Sequence, residues 1–69
     1  MQVNIRGKKF TVRRLRGKPI GVYASGTLPE IEECHDILTE SGMLDIQEEQ
    51  VTDNQWCITA VYSVEGCPS

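Results

Sequence analysis

The chain has 69 residues, 39% of them hydrophobic and 25% charged, with a formal net charge of −3. That length allows one domain, and that composition excludes a disordered tail. No apolar run nears the ~20 residues of a membrane-spanning helix, and Met1-Gln2-Val3-Asn4-Ile5 lacks the apolar segment of a signal peptide, so a cytoplasmic protein without a membrane partner is expected.

The net charge conceals a segregation. Arg6, Lys8, Lys9, Arg13, Arg14, Arg16 and Lys18 are all the cations, and the ten acids run from Glu30 to Glu65. Such asymmetry speaks to surfaces and partners rather than to fold. Cys34, Cys57 and Cys67 are an odd number without close pairing. They predict reduced thiols rather than a disulfide framework.

Val3 and Ile5 alternate with polar residues and predict a half-buried strand. Phe10 and Val12 predict a second. A two-residue turn at Gly7-Lys8 would set Ile5 opposite Phe10 and Val3 opposite Val12, all on one face. Ile20, Val22 and Ala24 predict a third strand after a loop at Arg16-Gly17-Lys18. That loop pairs Val12 with Val22 and Phe10 with Ala24.

A helix follows. Thr27 and Glu30 have the spacing of a capping box, with Pro29 in the first turn and Ser41-Gly42 as the stop. Leu28, Ile31, Cys34, His35 and Leu38 fall on one side. Glu32, Glu33, Asp36 and Glu40 fall on the other.

The last third predicts a hairpin. Leu44 and Ile46 face inward on one strand, and Trp56, Ile58, Ala60, Tyr62 and Val64 on the other. A two-residue turn at Asp53-Asn54 would put these sets on opposite faces. A three-residue loop, Thr52-Asp53-Asn54, sets Ile46 opposite Ala60 and Leu44 opposite Tyr62, with Asn54 taking the positive φ. The expected fold class is α+β, in the order βββαββ. One helix covers one face of an antiparallel five-stranded sheet, and the longest apolar strand lies inside. Residues 1–65 form the domain and 66–69 a short flexible C-terminal tail.

Catalysis has little to stand on. His35, the one histidine, borders the apolar stripe, and no nucleophile or acid is aimed at it, since Asp36 points elsewhere. Cys34, His35 and Cys57 have no metal-ligand spacing, because adjacent helical residues diverge by ~100°. The glycines are dispersed and form no phosphate-cradling loop. No cofactor, metal or enzymatic activity is expected.

Two charged surfaces remain. Thr11 and Arg13 are expected on the open sheet face with Arg6 beside them, Tyr23 projects to that same face, and Arg16 and Lys18 crown the second loop. Arginines with an aromatic on an open sheet suit nucleic acid, but a sequence pI near 4.9 weakens long-range steering. On the helix, Glu32, Asp36 and Glu40 stack at i, i+4 and i+8, an arrangement that costs a few tenths of a kcal/mol per pair. Glu40 also sits at the negative end of the helix dipole. No lysine in the helix relieves them, so a cationic partner is expected.

The reading that follows is a small non-enzymatic interaction protein. It binds a partner protein through Glu32, Asp36 and Glu40 or through Arg13, Arg14, Arg16 and Lys18. Phages and mobile elements encode many such proteins, and one concrete version is an anti-CRISPR-like inhibitor that occludes host nucleic-acid machinery. The alternative is a nucleic-acid-binding module using Arg6, Arg13, Arg16, Lys18 and Tyr23. A homodimer that pairs the basic and acidic patches is a further expectation.

Overall fold

The structure, a computed structural model, describes residues 1–62. Strands β1 (Gln2–Ile5), β2 (Lys8–Leu15) and β3 (Lys18–Gly26) precede helix α1 (Leu28–Glu40), and β4 (Leu44–Thr52) and β5 (Gln55–Val61) follow it. All pairings are antiparallel. The five strands lie in the order β1-β2-β3-β5-β4, so β5 is an interior strand. The α+β class, the βββαββ order and the one-sided helix match the expectation from sequence. Val64, Cys67 and the tail lie outside the described residues.

The helix closes one face over a single core. Phe10, Val22, Ile31, Cys34, Leu38, Ile58 and Ala60 are buried, and Val3, Ile5, Ala24, Ile37, Met43, Ile46, Trp56 and Tyr62 pack around them. The strand members of this set follow the period-2 pattern of one sheet face. Among the described residues no helix is long and apolar enough to cross a membrane.

The faces are as expected, but each turn differs. The first turn is Arg6-Gly7, with Val3 opposite Phe10 and Ile5 opposite Lys8. Both turn residues have positive φ, 51° and 86°. This is the mirror-image turn whose twist matches paired strands, and it places glycine second. Asn4 Oδ1 accepts from the Gly7 amide at 2.9 Å and holds it. The register moves by two residues, so every side chain keeps its face.

The second turn is Arg16-Gly17, again with positive φ, 54° and 80°. Leu15 pairs with Lys18, yet Val12 still pairs with Val22. The two registers are reconciled by a bulge in which Ile20 is the extra residue. The third turn is Asp53-Asn54, with Thr52 opposite Gln55. Neither turn residue takes a positive φ, and a bulge at Val51, between Gln50 and Thr52, restores the parity that a two-residue turn alone would break. Leu44 departs from expectation. It pairs with Val61 rather than Tyr62 and is 48% exposed. Asp45, at φ 49°, sits where the register shifts.

The helix termini also differ in detail. Thr27 is the N-cap, but its hydroxyl donates to Glu30 Oε1 at 3.0 Å and no side chain caps the backbone. The reciprocal capping box is therefore not formed. The C-terminus is a complete Schellman motif. Met43 N donates to Leu38 O and Gly42 N to Thr39 O, both at 3.1 Å, with Gly42 at φ 81°.

Candidate functional site

The cations divide into two groups. Arg6 was expected on the open face. Instead it reaches the helix, where Arg6 Nη1 meets Glu40 Oε2 at 2.9 Å. Lys8 Nζ lies 3.3 Å from Glu33 Oε2. These are the ion pairs among the described residues. They supply the relief that the helix sequence lacks, from the neighbouring hairpin. Both partners of the Arg6–Glu40 pair are more than half exposed, so the pair contributes at most ~1 kcal/mol. The charge of Glu40 also costs a few tenths of a kcal/mol at the helix C-terminus. The two effects nearly cancel, and Glu40→Gln should shift stability by less than ~0.5 kcal/mol in a urea melt.

The second group surrounds the β2–β3 turn. Arg13, Arg14, Arg16 and Lys18 are all exposed. None has a carboxylate partner among the described residues. Arg14 curls back, donating to Gly17 O at 3.0 Å and lying 2.9 Å from Met1 Sδ. Arg13 stands opposite Gly21, and Thr11 stands opposite Tyr23. Arg13 is thus the diagonal neighbour of Tyr23 on the open face. Leu15, on the same hairpin, is 61% exposed.

The acids of the helix also divide. Glu33 and Glu40 turn towards the β1–β2 hairpin and are paired. Glu32 and Asp36 line a shallow groove of about 360 Å³ with His35 and Glu48. Asp36 and His35 both line this groove. Sequence reasoning missed Glu48. Its period-2 step from the inward Ile46 was the available signal, because it puts Glu48 on the helix side of β4. A second groove, of about 550 Å³, joins the helix start to the β4–β5 turn and is lined by Leu28, Pro29, Asp53 and Trp56, among others. Trp56 was read as a core residue, and it lies at the core's margin.

Cys34 and Cys57 do not meet. Cys34 is buried under the helix, and Cys57 neighbours the buried Ile58 on β5, which places it on the opposite sheet face. Burial pushes the Cys34 thiol up from its ordinary value. Glu33 and Glu30 add to that shift, and Lys8 opposes it. Such a thiol stays protonated and unreactive at neutral pH. Among the described residues no three His, Cys, Asp or Glu side chains gather to hold a metal ion.

The site is therefore a basic hairpin whose cations have no carboxylate partner among the described residues, with an exposed leucine, apart from a groove lined by three carboxylates. Compared with known proteins, the chain matches no family model, no curated protein and no solved structure.

Proposed function

We propose that this chain is a non-enzymatic interaction protein that binds a partner protein through the β2–β3 hairpin. The observation that carries this reading is the division of the cations. Arg6 and Lys8 are used inside the fold, while Arg13, Arg14, Arg16 and Lys18 remain exposed beside Leu15. Arginine beside exposed apolar surface is the composition of protein interfaces, whose centres are desolvated. Phosphate recognition rewards charge and gains little from an exposed leucine. The partner surface is acidic with an apolar depression, and binding works by occlusion.

The acidic groove supports a second contact with a basic surface, the version that would serve an inhibitor of nucleic-acid machinery. Glu32, Asp36 and Glu48 carry it, since Arg6 already occupies Glu40.

Capture from host lysate with salt-graded elution tests the hairpin. Reversing Arg14, Arg16 and Lys18 together to glutamate should weaken capture by at least ~100-fold, since each interface arginine contributes ~1–2 kcal/mol. Reversing Glu32 and Asp36 should leave capture intact if the hairpin is the main contact. The nucleic-acid reading is favoured by one feature, Tyr23 flanked by cations on β2. Titration with labelled single- and double-stranded DNA and RNA at low salt decides it. Salt-sensitive binding that is lost in Arg13→Ala and Arg16→Ala would replace the protein-partner reading.

A further inference from the structure

We infer that the open face of the sheet is a self-association surface, covered in solution by the open face of a second copy about a twofold axis running along β3. The strand registers lay this face out in rows. The middle row crosses all five strands as Gln2, Thr11, Tyr23, Thr59 and Gln47, without a charge. On one side lie Asn4 and Lys9, then Ser25, Cys57 and Glu49. On the other lie Arg13, Gly21, Val61 and Leu44. Tyr23 is 39% and Leu44 48% exposed. Glu49 is the one carboxylate in these rows.

The charges are placed for self-complementarity. β3 is the middle strand of the five. Lys9 lies one strand to one side, two residues before Thr11, and Glu49 two strands to the other, two residues after Gln47; with Thr11 and Gln47 both in the middle row, these equal steps set the two at one level along the strands. A twofold rotation about β3 lays β2 over β5 of the second copy and keeps the levels aligned. Lys9 then meets Cys57 of that copy, with its Glu49 only ~4.8 Å further across. Sheets stacked ~10 Å apart leave a lysine and a glutamate able to join over that offset. The symmetry makes the pair twice. Tyr23 lies against its own mate near the axis, and no like charges are brought together.

The area is sufficient. The five strands, of 4, 8, 9, 9 and 7 residues and ~4.8 Å apart, cover roughly 600 Å² per copy, or ~1,200 Å² in all, the lower bound of a specific interface. Glu49 argues against nucleic acid as the occupant, because it would face phosphate. Arg13 falls inside the covered face, while Arg14, Arg16 and Lys18, the three cations reversed in the hairpin test, lie outside these rows, so the two readings are tested on different residues. Because the axis runs along the strands, both Arg16-Gly17 turns project from the same end of the dimer.

Sedimentation equilibrium on the full chain, with single and double charge swaps, tests this. The protein should be dimeric at about 100 µM, as expected for a small interface of micromolar affinity. Lys9→Glu and Glu49→Lys should each weaken the dimer by at least ~10-fold, since symmetry doubles every like-charge contact. The double variant should recover to within ~3-fold of the parent. Both residues are exposed, so unchanged circular dichroism will show that the fold is intact. In a Cys67→Ser background, alkylation of Cys57 should slow as the dimer fills. A monomer at that concentration overturns the inference, as does a dimer indifferent to the single swaps or a double variant that fails to recover. A monomer that binds oligonucleotide in a Tyr23-dependent way would assign the face to nucleic acid instead.

Discussion

Gly21→Ala is expected to leave the chain largely unfolded at room temperature. Gly21 is buried where β3 passes between its two neighbours, opposite Arg13 on β2 and Val61 on β5. A Cβ there would overlap the Ala60 carbonyl oxygen and stand 3.1 Å from the carbonyl carbon and from Val61 Cα. All three atoms are backbone, so no side chain can rotate to make room. The strands must separate instead, beside the Ile20 bulge where Tyr62 N donates to Ile20 O at 3.0 Å. Overpacking a well-filled site costs ~1–3 kcal/mol when side chains can adjust, and more when backbone must move. A chain of this length has only ~3–10 kcal/mol of total stability. Gly17→Ala is the control. Open space surrounds that position, and only its φ of 80° penalises a side chain, at a cost of about 1 kcal/mol. Equal losses in urea melts of the two variants would show that steric approach at Gly21 is not the cause.

Ile58→Ala should be among the most damaging truncations in the core. Ile58 is fully buried on β5, between Ala24 on β3 and Glu48 on β4, and it belongs to the same cluster as Ile31 and Leu38 of the helix. Removing its branched chain forfeits the transfer free energy and leaves a cavity, a loss of ~2–5 kcal/mol. At ~4–8 °C per kcal/mol for a domain this small, Tm should fall by about 8–40 °C. Val51→Ala serves for contrast. Val51 is 59% exposed at a bulge and should melt close to the parent. A fall of less than ~5 °C for Ile58→Ala would mean that helix and sheet are not held by this core.

Much of this was legible from alternation alone. Val3, Phe10, Val22, Ile58 and Ala60 face the helix as their spacing requires, and so does Ile46. Turn lengths were not legible, because a bulge and a turn can trade a residue without changing any buried face. The β2–β3 and β4–β5 hairpins both make that trade, at Ile20 and Val51. The charged surfaces were half legible. Exposure of Arg13, Arg16 and Lys18 follows from the hairpin, and the unrelieved acids of the helix follow from its sequence. That Arg6 and Lys8 would reach those acids depends on how the helix crosses the sheet. Side-chain packing sets that crossing, and no local pattern encodes it. Leu44 misled for the same reason, since nothing in its neighbourhood announces the positive φ at Asp45.

The strand order β1-β2-β3-β5-β4 also bears on how the chain reaches its fold. Every strand pair but one joins neighbours in sequence across a two-residue turn. The exception is β3–β5, whose partners are 30 residues apart at Gly26–Trp56 and 40 at Gly21–Val61. The meander and the terminal hairpin are each local and quick to form, while their junction must close a long loop that contains the helix. The entropy of that closure grows only slowly with loop length, but it must be met before the pairing contributes anything. The slow step of folding is therefore expected at this one seam, and Gly21 and Ile58, whose substitution is expected to cost so much, lie one on each of its two strands.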